Sequence, residues 1–104
     1  MTRTLIIALL LAVPTAAAAQ PAPGRYCAPG LPDVTIGPAP GMLGIDLMDC
    51  RGAAYRAGQV SAPHCYGMGG AETSYDTDLA IEPGGDLTHD GARYRLQPPG
   101  RLCP

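Results

Sequence analysis

The stretch Ser61-Ala62-Pro63-His64-Cys65-Tyr66-Gly67-Met68-Gly69-Gly70 places an imidazole, a thiol and a thioether within five residues. Such soft donors suit Cu(I). Thiolate ligation needs a free Cys65, however, and the spacing matches no zinc pattern. Met42, Cys50 and His89 are more distant candidates to join such a site, and if Cys65 is oxidised, His64 and Met68 are the only local donors left. The preferred reading makes Cys65 half of a disulfide, followed by a glycine-rich turn. Copper held by His64 and Met68 is the alternative.

Carboxylates form a second candidate group. Glu72, Asp76, Asp78 and Glu82 recur along one stretch. Paired carboxylates serve glycoside hydrolysis or bind calcium. Asp76-Thr77-Asp78 lacks the third acid and the glycine of a calcium loop. The plainer reading is a solvated strand face that resists edge-to-edge aggregation and pairs across a hairpin with Arg93 and Arg95. Ser61 and Ser74 lie in no G-x-S-x-G context. His64 is wedged between Pro63 and Cys65, and His89 sits beside Asp90 at a hairpin tip, where exposure is expected. A chain this short has little interior from which to shape a pocket of ~300 Å³ or more. No catalytic residue and no cofactor are expected, and the chain reads as a non-enzyme.

What must position these groups begins after the N-terminus. "MTRTLIIALLLAVPTAAAAQ" has one cation, Arg3, an apolar run from Leu5 to Val13, the breaker Pro14, and small residues ending in Ala17-x-Ala19. That is the layout of a secretory signal peptide over residues 1–19, cleaved near Ala19. At ~1.5 Å per residue the run reaches about 14 Å, short of the roughly 30 Å hydrocarbon core. The mature chain is therefore expected to have no membrane span and to be soluble, periplasmic or secreted, and monomeric.

Removing 19 of 104 residues leaves 85, one small domain. The chain has no Phe and no Trp, five Tyr, and only twelve Leu, Ile and Val beyond residue 19. That apolar share lies below the ~20 % at which disorder becomes a serious reading. Six Arg, no Lys and nine acids in this part give a net charge of −3, too little for self-repulsion to hold the chain open. Nor does it offer the basic footprint that nucleic acid or an anionic lipid surface requires. Four cysteines delivered to an oxidising compartment pair by default, so two disulfides are expected to supply what the core lacks.

Residues 20–41 are rich in Pro and Gly, with room for one short strand at Val34–Ile36; residues 42–104 are expected to form the core, within one domain. "MLGIDLMDC" alternates as one strand, with Leu43, Ile45 and Leu47 on a common face. Residues 72–82 alternate likewise, with Thr73, Tyr75, Thr77, Leu79 and Ile81 together. "DLTH", the turn Asp90-Gly91 and "ARYRLQ" read as a hairpin with Tyr94 and Leu96 inward. The fold class expected is all-β: an antiparallel meander of five or six short strands, curled into a sandwich or partly open barrel with tyrosines in its interior.

Cys27, Cys50, Cys65 and Cys103 allow three pairings. The preferred one clips Cys50 to Cys65 across neighbouring strands and Cys27 to Cys103 at the two ends.

The order of an early Cys, "IDLMDC", "CYGMGGAETSY", then a Gly-Gly-x-Leu-like turn, "GARY" and a last Cys resembles small exported, disulfide-containing proteins of alphaproteobacteria. The resemblance implies the same pairing order and an all-β fold, and it implies no activity. Gly91-Ala92-Arg93-Tyr94 is similar to the Ser-Gly-x-x-Tyr loop of periplasmic inhibitors of C-type lysozyme, with Asp90 at the serine position. The function expected is a non-enzymatic module binding a protein or cell-envelope component. A copper-binding protein and a lysozyme-inhibitor-like protein are the alternatives.

Overall fold

A computed structural model of the chain describes residues 20–104. The export segment expected over residues 1–19 lies outside the described residues. Among these there is no helix, and so none long and apolar enough to cross a membrane.

The fold is all-β and antiparallel. Ten strands follow in order: β1 (Gly24–Cys27), β2 (Val34–Ile36), β3 (Leu43–Ile45), β4 (Met48–Arg51), β5 (Ala54–Arg56), β6 (Gln59–Tyr66), β7 (Glu72–Asp78), β8 (Ala80–Ile81), β9 (Leu87–His89) and β10 (Ala92–Leu96). The sheet runs β5-β6-β4-β3-β2-β1-β10-β9-β8, with β7 on the other edge of β6. It curls into a half-barrel. Its two outer strands, β7 and β8, are consecutive in sequence, so the chain itself bridges the open side through Leu79. The Leu79 N–H donates to Gly58 O at 2.9 Å and its side chain is buried.

The strand count exceeds the five or six expected, for two reasons. First, "MLGIDLMDC" is a hairpin. It turns at Asp46-Leu47, and Ile45 pairs with Met48 and Leu43 with Cys50. Leu43, Ile45, Met48 and Cys50 therefore share the inner face, and Leu47 is thrown outward. Alternation cannot separate one long strand from two short ones joined by a two-residue turn. Second, residues 72–82 break at Leu79, where the chain leaves β6 and crosses to β9.

β4 and β5 form in effect one strand. Asp49, Cys50 and Arg51 pair with Tyr66, Cys65 and His64; Ala54, Tyr55 and Arg56 pair with Ser61, Val60 and Gln59 in the same register. The gap falls opposite Pro63, which has no N–H to donate. On the far edge of β6 the register with β7 shifts between Ala62 and Cys65. Pro63 is thus tolerated inside a long strand because a break lies on one side and a bulge on the other. A Cβ on Gly52 would come within 3.2 Å of Pro63 Cγ.

The core is thin. Tyr26, Val34, Ile36, Leu43, Ile45, Val60, Leu79, Leu87 and Tyr94 are buried, with Cys50 and Cys65 among them. Tyr55 and Tyr75 pack against it half-buried, and Tyr66 lies on the surface, so the tyrosines fill the interior only in part. Leu96 was expected inward beside Tyr94 but is an exposed residue. Both disulfides follow the preferred pairing: Cys50–Cys65 joins directly opposed residues of β4 and β6, with Cα atoms 4.0 Å apart, and Cys27–Cys103 closes a span of 76 residues.

Two tests of this core follow. In the chain-entropy model, loops of 15 and 76 residues contribute roughly 3 and 4–5 kcal/mol. Urea unfolding of Cys50→Ala/Cys65→Ala and Cys27→Ala/Cys103→Ala is expected to show losses of that order; a loss under about 1 kcal/mol in both would contradict a core that depends on its crosslinks. The Tyr55 hydroxyl is buried without a hydrogen-bond partner among the described residues, and burial foremost, then Tyr26, pushes its pKa up to about 12. A raised folded-state value favours the neutral phenol. Its stabilising contribution is whole below the unfolded tyrosine value near 10 and is lost as pH rises toward about 12. Tyr55→Phe is expected to raise stability at neutral pH, by up to about 1 kcal/mol, and to postpone alkaline unfolding followed by tyrosinate absorbance.

Candidate functional site

Three hairpins turn through two residues with positive φ at both positions: Asp46-Leu47 (49° and 64°), Ala57-Gly58 (48° and 76°) and Asp90-Gly91 (51° and 79°). This is the mirror-image turn whose twist matches that of the strands. Glycine takes the second position in two of them. Leu47 stands there in the third, where a bulky side chain is disfavoured by ~1 kcal/mol or more. It is also 68 % exposed. A strained and exposed leucine gains nothing for the fold.

Met68 lies beside this tip, 89 % exposed, in the glycine-rich β6–β7 loop. A Cβ on Gly67 would lie 3.7 Å from Met48 Cγ, so the two loops touch. The half-exposed ring of Tyr66 sits opposite Asp49 on the adjoining strands. Leu47 and Met68 thus crown two neighbouring tips at one end of the sheet. Asp46, Asp49 and Glu72 surround them with negative charge, although Arg51 pairs with Asp49 (3.0 Å) and His64 with Glu72 (2.5 Å). Glu72 is held below the usual carboxylate range chiefly by its hydrogen bond with His64; Tyr66 is raised, above all by the charge of Glu72.

Beneath Leu47 the turn is clamped. Asp46 accepts a hydrogen bond from the Tyr75 hydroxyl of β7, and its Oδ2 lies 3.0 Å from Nε2 of His89 on β9. His89 Nδ1 lies 2.8 Å from the Asp78 carbonyl oxygen. A carbonyl only accepts, so Nδ1 is the donor. The Asp90 N–H donates to Asp78 Oδ2 at 3.0 Å, tying the β9–β10 turn to the same group. Tyr75 is raised from its ordinary value first by its bond to Asp46 and then by burial; Tyr94, 6.1 Å from the His89 ring, is raised mainly by burial. His89 was read as an exposed tip residue but is 1 % exposed. The half-barrel's open side closes over it, and this closure is invisible to local pattern.

The other candidates are distributed as follows. Cys65 is bonded and buried, while His64, one residue before it, points to solvent. Among the described residues no group of three or more His, Cys, Asp or Glu is placed to hold a metal ion. The acidic stripe does not pair with the two arginines expected: Asp76 accepts from Ser61 Oγ at 2.7 Å, Asp78 serves the clamp, and Arg93 faces Asp86 at 3.5 Å. Tyr94, in the stretch similar to the lysozyme-inhibitor loop, is buried and unavailable to a partner. Surface clefts of about 570 and 500 Å³ lie on the sheet's β1–β10 region. Both exceed the ~300 Å³ that so short a chain is expected to have little room to shape, because they form on the outer surface of the sheet.

The clamp is expected to behave as a unit. Asp46→Ala leaves a buried His89 nitrogen unpaired and should cost about 1–3 kcal/mol in urea unfolding. In a double-mutant cycle with Tyr75→Phe, coupling above about 0.5 kcal/mol is expected; strictly additive losses would mean that the three groups are not one network. Comparison of the chain with protein-family models, curated proteins and solved structures finds no match.

Proposed function

We propose that this chain is a non-enzymatic binding module of the periplasm or cell exterior, working as a monomer after removal of residues 1–19. Its contact with a protein of the cell envelope is made through the Leu47–Met68 tips. One observation carries this: an apolar side chain is held in a backbone conformation that glycine would adopt at less cost, and it is displayed to solvent on a turn clamped from below. Strain of this kind persists where function requires it. The clamp spares a partner the cost of ordering the turn, which favours affinity. Export is supported by the leader composition and by four cysteines in two disulfides, the form that oxidising compartments maintain.

Leu47→Gly separates the two demands on this residue. It is expected to stabilise the fold by about 1 kcal/mol through relief of the left-handed strain, yet to weaken retention on immobilised envelope-protein extract at least tenfold. Met68→Gln should weaken retention without altering stability. Retention unchanged in both variants would remove the tips from the interaction. Turnover of glycosides, esters or peptides by the oxidised protein, above an unfolded control, would overturn the non-enzymatic reading.

A further inference from the structure

The second feature lies on the opposite strands of the sheet, on β1 and β10. Cys27 pairs with Arg95 across these strands, and Tyr26 with Leu96. Directly paired residues share a face, and Tyr26 points into the core, so Cys27 and Arg95 lie on the outer face. Arg93 and Gln97, two residues either side of Arg95, lie on that face too. The Gln97 N–H extends the ladder by donating to Arg25 O at 2.8 Å. The disulfide then draws Cys103 and the terminal residues over the same face. Between this cover and β10 runs a cleft of about 570 Å³, open to solvent and walled by Cys27, Ala28, Pro29, Cys103 and Pro104. Its volume falls within the roughly 300–1,000 Å³ of small-molecule sites.

The charge of this cleft is opposite to that of the chain. Beyond residue 19 acids outnumber arginines nine to six, yet both charged side chains lining the cleft are arginines. Arg95 forms no ion pair among the described residues. Arg93 is the less available of the two, since its Nε also faces the Asp86 carboxylate at 3.5 Å. A guanidinium fork is shaped for a carboxylate. Two of them beside an apolar wall of sulfur, alanine and proline carbons suit a carboxylate that carries a hydrocarbon body.

We infer that this cleft is a binding site for an aliphatic monocarboxylate, with its head between Arg93 and Arg95 and its chain against the Cys27–Cys103 wall. This site is separate from the tips and does not depend on them.

The probe is octanoate, titrated into the oxidised protein below its aggregation limit and followed by amide chemical shifts. Saturable shifts are expected at Ala28, Arg93, Arg95 and Cys103. n-Octanol, which keeps the chain, and acetate, which keeps the head, should each bind at least tenfold more weakly. Arg95→Gln, a surface change that leaves the fold intact, should weaken octanoate about tenfold, and raised salt should do the same in part. Leu47→Gly should leave octanoate binding unchanged, so failure at the tips and failure at the cleft are told apart. Equal binding of octanol and octanoate, an unaffected Arg95→Gln variant, or no saturable shift with octanoate would each overturn the inference.

Discussion

The Cys50–Cys65 crosslink is the constraint from which the rest of this small protein follows. It joins directly opposed residues of β4 and β6, completely buried, next to the position where Pro63 interrupts pairing on both sides of β6. A proline inside a paired strand removes a ladder hydrogen bond, and here the covalent link lies two residues away. The second crosslink, Cys27–Cys103, holds residues near the end of the chain against β1. Without Phe or Trp, the core they enclose is built from aliphatic side chains and two buried tyrosines. A domain of this size has little burial to set against chain entropy, and crosslinks lower that entropy in the unfolded state.

The sheet does not close by strand pairing alone. Its open side is sealed by side chains: His89 joins the Asp78 backbone to the Asp46 carboxylate, and Tyr75 donates to the same carboxylate. One polar cluster thereby ties together the β3–β4 turn, the end of β7 and the end of β9. The energetic logic is that of any buried polar network, in which each member is satisfied only while the others stay in place. The same cluster fixes the turn that displays Leu47. Fold closure and presentation of the apolar tip are one structural act.

The two candidate sites lie at different parts of the sheet and have opposite character. The tips are convex, apolar and ringed by acids; the cleft is concave and flanked by arginines. Separating surface charge in this way lets one small domain offer two distinct kinds of contact.

Much of this architecture was legible in the residues themselves. Alternation marked β2, β7, β9 and β10, Asp90-Gly91 marked its hairpin, and the positions of four cysteines relative to those strands pointed to the pairing that is present. These are local matters, set by side-chain period, turn chemistry and chain connectivity. The Asp46-Leu47 turn was not legible, because a leucine gives no glycine-like signal and the alternation simply ran on through it. Nor was the burial of His89, whose partners are 43 and 11 residues away, or the exposure of Leu96. The cleft beside Cys27–Cys103 was hidden too, since Arg93, Arg95 and Cys27 share a face only through the pairing of the first strand with the last. Sequence determined which segments extend and which cysteines could meet. Only the curling of the sheet decided which polar groups were sealed inside and which apolar ones were left in water, because that depends on contacts between strands far apart in the chain.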